Sequence, residues 1–252
     1  MEGASLVQWS DEAVILGGKP HGETSLILEV LTRGHGRHLG IVRGGRSRRL
    51  APALQPGNLA DVTWRARLES HLGSFTVEAR DMRAAAMLSS PTALYAFATL
   101  SAHLRLLAER EPHAALYDAL RVLGEHLAEP AIAAPLLLRF ELALLAELGF
   151  GLDLSACAVS GAREDLTFVS PKSGRAVSSG VAGPYRDKLL ELPAFLVEGQ
   201  GRQLPGAAEL KAGFRLTGFF LERHVHEPRG IPMPPSRERF MSLALAAFEA
   251  QG

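Results

Sequence analysis

From Arg43 to Arg49 the chain reads Arg-Gly-Gly-Arg-Ser-Arg-Arg, four guanidinium groups in seven residues. Such groups repel one another unless anions lie between them, and each offers a planar fork of N–H donors that matches phosphate oxygens. Gly44 and Gly45 allow backbone N–H groups to approach an anion as well. The chemistry implied is recognition of a polyanion. A solvated surface loop is the bland alternative for any charge run. Three observations weigh against it. No acidic residue occurs between Val30 and Ala60; Arg33 and Arg37 stand close upstream; Arg65 and Arg67 alternate onto one face of a later strand. Arg33, Arg37, Arg43, Arg46, Arg48, Arg49, Arg65 and Arg67 are therefore the candidate nucleic-acid-binding residues, a basic stripe able to follow a phosphate backbone, with a phosphorylated small molecule as the other anion. Four to six neutralised phosphates would give a salt slope of roughly −3 to −4 on single strands. Replacing Arg46, Arg48 and Arg49 together with Ala should weaken binding regardless of sequence.

Other candidate groups do not assemble. Gly34-His35-Gly36-Arg37-His38-Leu39-Gly40 has the spacing G-x-G-x-x-x-G and a strand after it, so it reads as a hairpin turn and not a dinucleotide loop. The basic run lacks the Gly-Lys-Ser/Thr ending and helix opening of a phosphate-binding P-loop. Trp64 could stack on an unpaired base, but it alternates with Val62 and Ala66, opposite Arg65 and Arg67, and belongs to the core. His224 and His226 are two apart, which is not the spacing of a helical metal pair. Cys157, the one cysteine, cannot form an intramolecular disulfide or close a structural zinc site alone; a small buried residue is its expected role. No metal, cofactor or catalytic group is expected, so the chain reads as a binding protein and not an enzyme.

The elements that must carry these residues fall into two kinds. Residues 1–80 read as five short strands: Ala13–Leu16, ending at Gly17-Gly18; Thr24–Leu31; Arg37–Arg43; Asp61–Arg67; and Leu72–Ala79, each with period-2 alternation or turn signals. Five such strands suggest a small closed or nearly closed antiparallel barrel. Residues 81–252 change to helical periodicity. Pro91 opens a helix, Leu116, Leu120, Leu123 and Leu127 form an apolar stripe, and 132–148 is apolar on most sides, as the buried centre of a bundle would be. Residues 151–184 lack a helical period, and helices are expected near 184–198, 206–226 and 236–250. The boundary falls near Arg80–Ala84.

With 252 residues and 47% apolar content the chain can build one large domain or two small ones, and global disorder is excluded. Its 27 basic and 27 acidic residues cancel, so the clustering of charge matters more than the sum. Met1–Ser5 lacks the basic and apolar regions of a signal peptide, and Ser89, Ser90 and Pro91 interrupt the uncharged stretch Ala84–Leu104, so no membrane partner is expected. A cytoplasmic, nucleoid-associated protein is expected.

Several segments in order resemble the bacterial RecO family of recombination mediators: Trp9–Leu16, Pro20–Ser25, Gly36-Arg37-His38-Leu39-Gly40-Ile41-Val42-Arg43-Gly44-Gly45-Arg46, Leu54–Asn58, Glu147–Leu154 leading into Cys157, Phe168–Gly174 and Ala176–Ser178. The resemblance covers nearly the whole chain. It implies an α+β fold, an N-terminal OB-fold barrel followed by a C-terminal helical domain. It also implies a small lobe that in many members holds zinc through two Cys-x-x-Cys pairs. Here Ser160 stands where the second cysteine would be and Val177–Val181 has none, so a metal-free remnant is expected, held by hydrogen bonds and packing around Phe168 and Val169. The resemblance further implies binding of single- and double-stranded DNA and annealing of complementary strands. It implies work with RecR to load RecA, and contact with the C-terminal tail of single-stranded DNA-binding protein. Two other readings compete: a helical interaction scaffold whose basic loop is incidental, and an enzyme acting on a phosphorylated small molecule.

Overall fold

The computed structural model describes residues 6–199 and 204–249, with the side chain of Pro184 left aside. Met1–Ser5, on which the signal-peptide reading rests, and Ala250, expected in the last helix, lie outside the described residues. The first strand, β1 (Val7–His21), is far longer than the expected Ala13–Leu16. Gly17 and Gly18 do not end it; they sit at a bulge between Ile15 and Gly17, inside the strand. A Cβ added to Gly18 would come within 2.7 Å of the Leu26 side chain, so the glycine marks a close approach and not a stop.

That length closes the sheet. Val7–Val14 of β1 pair with β4 (Leu59–Ala66), while Ala13–His21 pair with β2 (Ser25–Thr32). β2 continues through a turn into β3 (Gly36–Val42), and β5 (Ser74–Asp81) lies between β3 and β4. The order β1-β2-β3-β5-β4 forms a closed barrel whose one parallel contact, Ile41 with Ser74, joins β3 to β5. This is the five-stranded arrangement of an OB-fold. Period-2 alternation delivers Ile15, Leu28, Val30, Val42, Val62, Trp64 and Phe75 to the interior.

Three helices complete the first compact unit, which extends to Glu125: α1 (Ala84–Leu88), α2 (Pro91–Leu104) and α3 (Ala114–Glu125). Ser90 caps α2, its hydroxyl accepting from Ala93 N at 3.2 Å, with Pro91 in the first turn. Polar ties bind these helices to the barrel. Asn58 Oδ1 accepts from Ala84 N at 2.9 Å, and the Tyr117 hydroxyl donates to Glu12 Oε1 at 2.8 Å. Strands therefore give way to helices near Arg80–Ala84, but compactness divides the chain later, between Glu125 and His126. Among the described residues no helix is long and apolar enough to cross a membrane.

The second unit is built on α4 (Pro130–Glu147), whose Leu137, Leu138, Phe140, Leu144 and Leu145 are buried. The region after it is not wholly irregular. β6 (Leu166–Val169) and β7 (Ala176–Ser178) form a hairpin followed by the short α5 (Ser179–Ala182). The helix expected over 184–198 is absent. Pro193 interrupts that stretch, which holds two 3₁₀ turns, and Leu190-Glu191 instead form β8, which pairs with β6 in the order β7-β6-β8. α6 (Ala207–Leu221) runs into a π-helical turn over Glu222–His226 and the short α7 (Glu227–Arg229), and α8 (Pro235–Glu249) closes the unit. Glu141 of α4 is fully buried there, with its carboxylate forked by Arg237 at 2.7 and 2.9 Å and bonded by the Thr217 hydroxyl.

Candidate nucleic-acid interface

The basic loop leaves β3 through a tight turn. Gly45 N donates to Val42 O at 3.2 Å, and Gly44 takes φ +66°, a left-handed conformation that suits glycine at this position. Ser47 then starts a short helical turn, its carbonyl accepting from Leu50 N and Ala51 N. Leu50 and Leu54 pack into the barrel core, and the buried Asn58 donates to Pro52 O and Ala53 O at 2.8 and 3.1 Å. The arginines thus ride on an anchored loop. Arg43, Arg46, Arg48 and Arg49 are all exposed.

They do not do the same job. Arg46 is a strut: its N–H donates to Thr24 O at 3.0 Å and its guanidinium to Gly22 O and Glu23 O at 3.2 and 2.9 Å. These bonds fasten the loop to the β1–β2 turn. Lys19, exposed, stands on that turn's flank and adds a cation to the basic surface. Local composition does not join it to the cluster, because it lies two dozen residues upstream of Arg43. Arg43, Arg48, Arg49 and Lys19 have no carboxylate partner among the described residues.

Arg65 also belongs on this surface. Ile41, Ser74 and Arg65 occupy one cross-strand row, while Val42, Phe75 and Trp64 beside them face inward. Arg65 is thus two strand spacings, about 10 Å, from the row of Ile41, and Arg43 stands two residues beyond it. Arg67 is exposed just past the end of β4.

Arg33 and Arg37 are placed differently. Arg33 forks onto Asp118 of α3, Nε to Oδ1 at 3.0 Å and Nη2 to Oδ2 at 3.1 Å, with both side chains more than half exposed. This hydrogen bonding raises the Arg33 pKa and lowers that of Asp118. Arg37 is only 13% exposed. It bonds Glu29 Oε1 at 2.9 Å and Leu107 O at 3.2 Å, while Arg105 takes Glu29 Oε2 at 2.8 Å. Arg37 is therefore removed from the expected basic stripe. The reason is that the segment after α2 runs against Arg37 and Glu29, Arg110 N donating to Arg37 O at 2.8 Å, on the β2–β3 side that OB-folds commonly use for oligonucleotides.

Trp64 is fully buried, as its alternation predicts, and its indole N–H donates to Leu72 O at 3.1 Å. His38, 3% exposed, sits edge-on to Trp64 at 4.8 Å; burial first, and the Arg110 charge second, hold its pKa down to about 4. The barrel also carries an acidic row, which shares β4 with Arg65. Glu12, Asp61 and Glu78 lie across β1, β4 and β5, with Arg80 bonding Glu12 at 2.9 Å and Asp61 at 3.1 Å. Arg121 pairs with Glu12 as well.

The lobe of the second unit does not fit zinc. The Cys157 sulfur accepts from Ser160 N at 3.5 Å, Ser178 N at 3.3 Å and Ser178 Oγ at 3.5 Å. Neutral serine hydroxyls are poor zinc ligands, and among the described residues no group of three or more His, Cys, Asp or Glu is arranged to hold a metal ion. Besides the packing of Phe168 and Val169, a hydrogen-bonded sulfur knits this lobe. Burial alone would push the thiol up, but the bonds from Ser160 and Ser178 outweigh it and draw it down to about 6.

Comparison with known proteins follows the same division. The family model described as recombination protein O N terminal matches residues 6–83, and recombination protein O C terminal matches 89–230. The chain is 57% identical over 236 residues to the DNA repair protein RecO of Mesorhizobium japonicum, covering 94% of this chain and 93% of that one. It is 56% identical over 242 residues to RecO of Rhizobium etli, with 96% and 94% covered, and 54% identical over 243 residues to RecO of Methylobacterium nodulans, with 95% and 99% covered.

Proposed function

This chain belongs to the RecO family of DNA repair proteins, and we propose that it works as a recombination mediator that binds DNA through the loop side of its barrel and anneals complementary strands. The observation that carries this reading is the anchored loop presenting Arg43, Arg48 and Arg49 without carboxylate partners, joined by Lys19, Arg65 and Arg67. Annealing requires two polyanions to approach while their bases stay free to pair. A protein that screens phosphates, and leaves most bases untouched, lowers that repulsion without competing for the pairing edges. Six free cations correspond to a salt slope of about −4 on single strands.

Arg37 has no part in this contact, and Arg33 reaches DNA only by exchanging Asp118 for phosphate. Arg46 acts by holding the loop against the β1–β2 turn. Double-stranded DNA is bound by the same phosphate chemistry. In the cell the protein acts with RecR to load RecA onto gaps coated with single-stranded DNA-binding protein, whose C-terminal tail it contacts. It does so in the cytoplasm at the nucleoid, and without catalysing a covalent step.

The test is annealing of complementary oligonucleotides coated with single-stranded DNA-binding protein. The protein should accelerate duplex formation, and the Arg46→Ala, Arg48→Ala, Arg49→Ala triple variant should not. Equal acceleration by the triple variant would refute the assignment of the loop; no acceleration by the unmodified protein would refute the mediator reading.

A further inference from the structure

One end of the barrel holds a column of planar groups that runs from the core outward. The Arg110 guanidinium lies 5.7 Å from the centre of the Trp64 ring. Trp64 lies 5.8 Å from Trp9 with the planes within 18°, and Trp9 is stacked on His35 at 4.0 Å and 11°. His38 and Phe75 pack edge-on against Trp9 at 5.0 and 5.9 Å. Trp64 is buried, Trp9 and His35 are half-buried, so His35 is the outer ring of the stack.

His35 sits on a held turn. Its N–H donates to Thr32 Oγ1 at 3.0 Å, Gly34 N donates to Asp11 Oδ2 at 3.0 Å, and the neighbouring Arg33 forks onto Asp118. Aliphatic side chains would fill a barrel end as well. A fixed aromatic face backed by an indole, next to a solvent-exposed guanidinium, has the chemistry of a nucleobase site with its phosphate.

We propose that His35, backed by Trp9, is the stacking surface for one unpaired nucleobase of a DNA strand, with Arg33 exchanging Asp118 for the adjoining phosphate. The proposal rests on the DNA-binding reading above and adds a base contact to it. Strand pairing puts the two sites at opposite ends of the β2–β3 ladder, Thr32 with Gly36 at one and Leu26 with Val42 at the other. Six residues of strand separate them, about 20 Å, so a single strand engaging both must span that length. One base is held while the rest remain free to pair.

The chain has two tryptophans, Trp9 and Trp64, and both lie in the column, so tryptophan emission, excited apart from the three tyrosines, reports on it alone. The experiment titrates the full-length protein with a dye-labelled oligothymidylate and with an abasic oligomer of the same backbone length. Anisotropy gives affinity and tryptophan emission gives the stack. The base-bearing oligomer should bind at least about fivefold more tightly and change tryptophan emission, whereas the abasic one should bind without that change. His35→Ala should erase the difference, and His35→Tyr should restore it. If both oligomers bind with equal affinity and no base-dependent emission change, the stacking site is overturned while the electrostatic reading stands. If neither binds, the DNA reading falls and this inference with it.

Discussion

Arg37 on β3 and Arg48 in the loop that follows share a side chain and a sequence neighbourhood, yet the fold gives them opposite roles. Arg37 is enclosed between Glu29 and the carbonyl of Leu107, and Arg105 holds the other oxygen of the same carboxylate. Arg48 is exposed and has no carboxylate near it among the described residues. The difference comes from what lies against the barrel: the segment after α2 supplies Arg105 and the Leu107 carbonyl beside Arg37, while Arg48 stays exposed. A guanidinium with a buried partner stabilises the fold, and one without remains available for phosphate. Local composition does not tell the two apart.

The comparison can be broken from the buried side first. Arg37→Ala leaves Glu29 half-buried with one partner lost, and should destabilise the protein by about 3 kcal/mol in urea denaturation. The folded fraction should keep its DNA affinity. A stable Arg37→Ala variant with weak DNA binding would place Arg37 back on the interface.

His38 gives a pH version of the same contrast. The unfolded chain takes up this proton near pH 6.5, while the folded barrel resists it to about pH 4. The contribution to stability is therefore whole above pH 6.5 and is lost as the pH falls towards 4, by up to about 3 kcal/mol. His38→Phe should flatten unfolding free energy across that window. An unchanged slope would mean the burial of His38 is relieved in solution.

In the second unit, Cys157→Ala strands the donors of Ser160 and Ser178 and should cost about 1–2 kcal/mol, whereas a chelator should leave the thermal midpoint unchanged. A chelator-induced drop would contradict the hydrogen-bonded sulfur as the knot of this lobe. The smallest effect is expected from Arg48→Ala and Arg49→Ala, whose stability should stay within about 0.5 kcal/mol of the parent.

The barrel was legible because its strands alternate cleanly, as Val62, Trp64 and Ala66 do, and the exposed loop was legible because its arginines are contiguous. The extent of β1 was not, since glycines at a close approach look the same as glycines at a stop. The false helix over 184–198 arose from reading its leucines without Pro193, which interrupts them. The fate of Arg33 and Arg37 depended on Asp118, Glu29 and Leu107, partners set by tertiary packing of α2 and α3 that no local period encodes. The same holds for Ser178, which meets Cys157 across a hairpin.

The most direct test is the salt dependence of single-strand binding by the unmodified protein and by an Arg43→Ala, Arg48→Ala, Arg49→Ala variant. Loss of three phosphate contacts should flatten the slope of log K against log salt by about 2, from about −4 to about −2, with the fold intact. Identical slopes for the two proteins would show that phosphate is held elsewhere and would contradict the account.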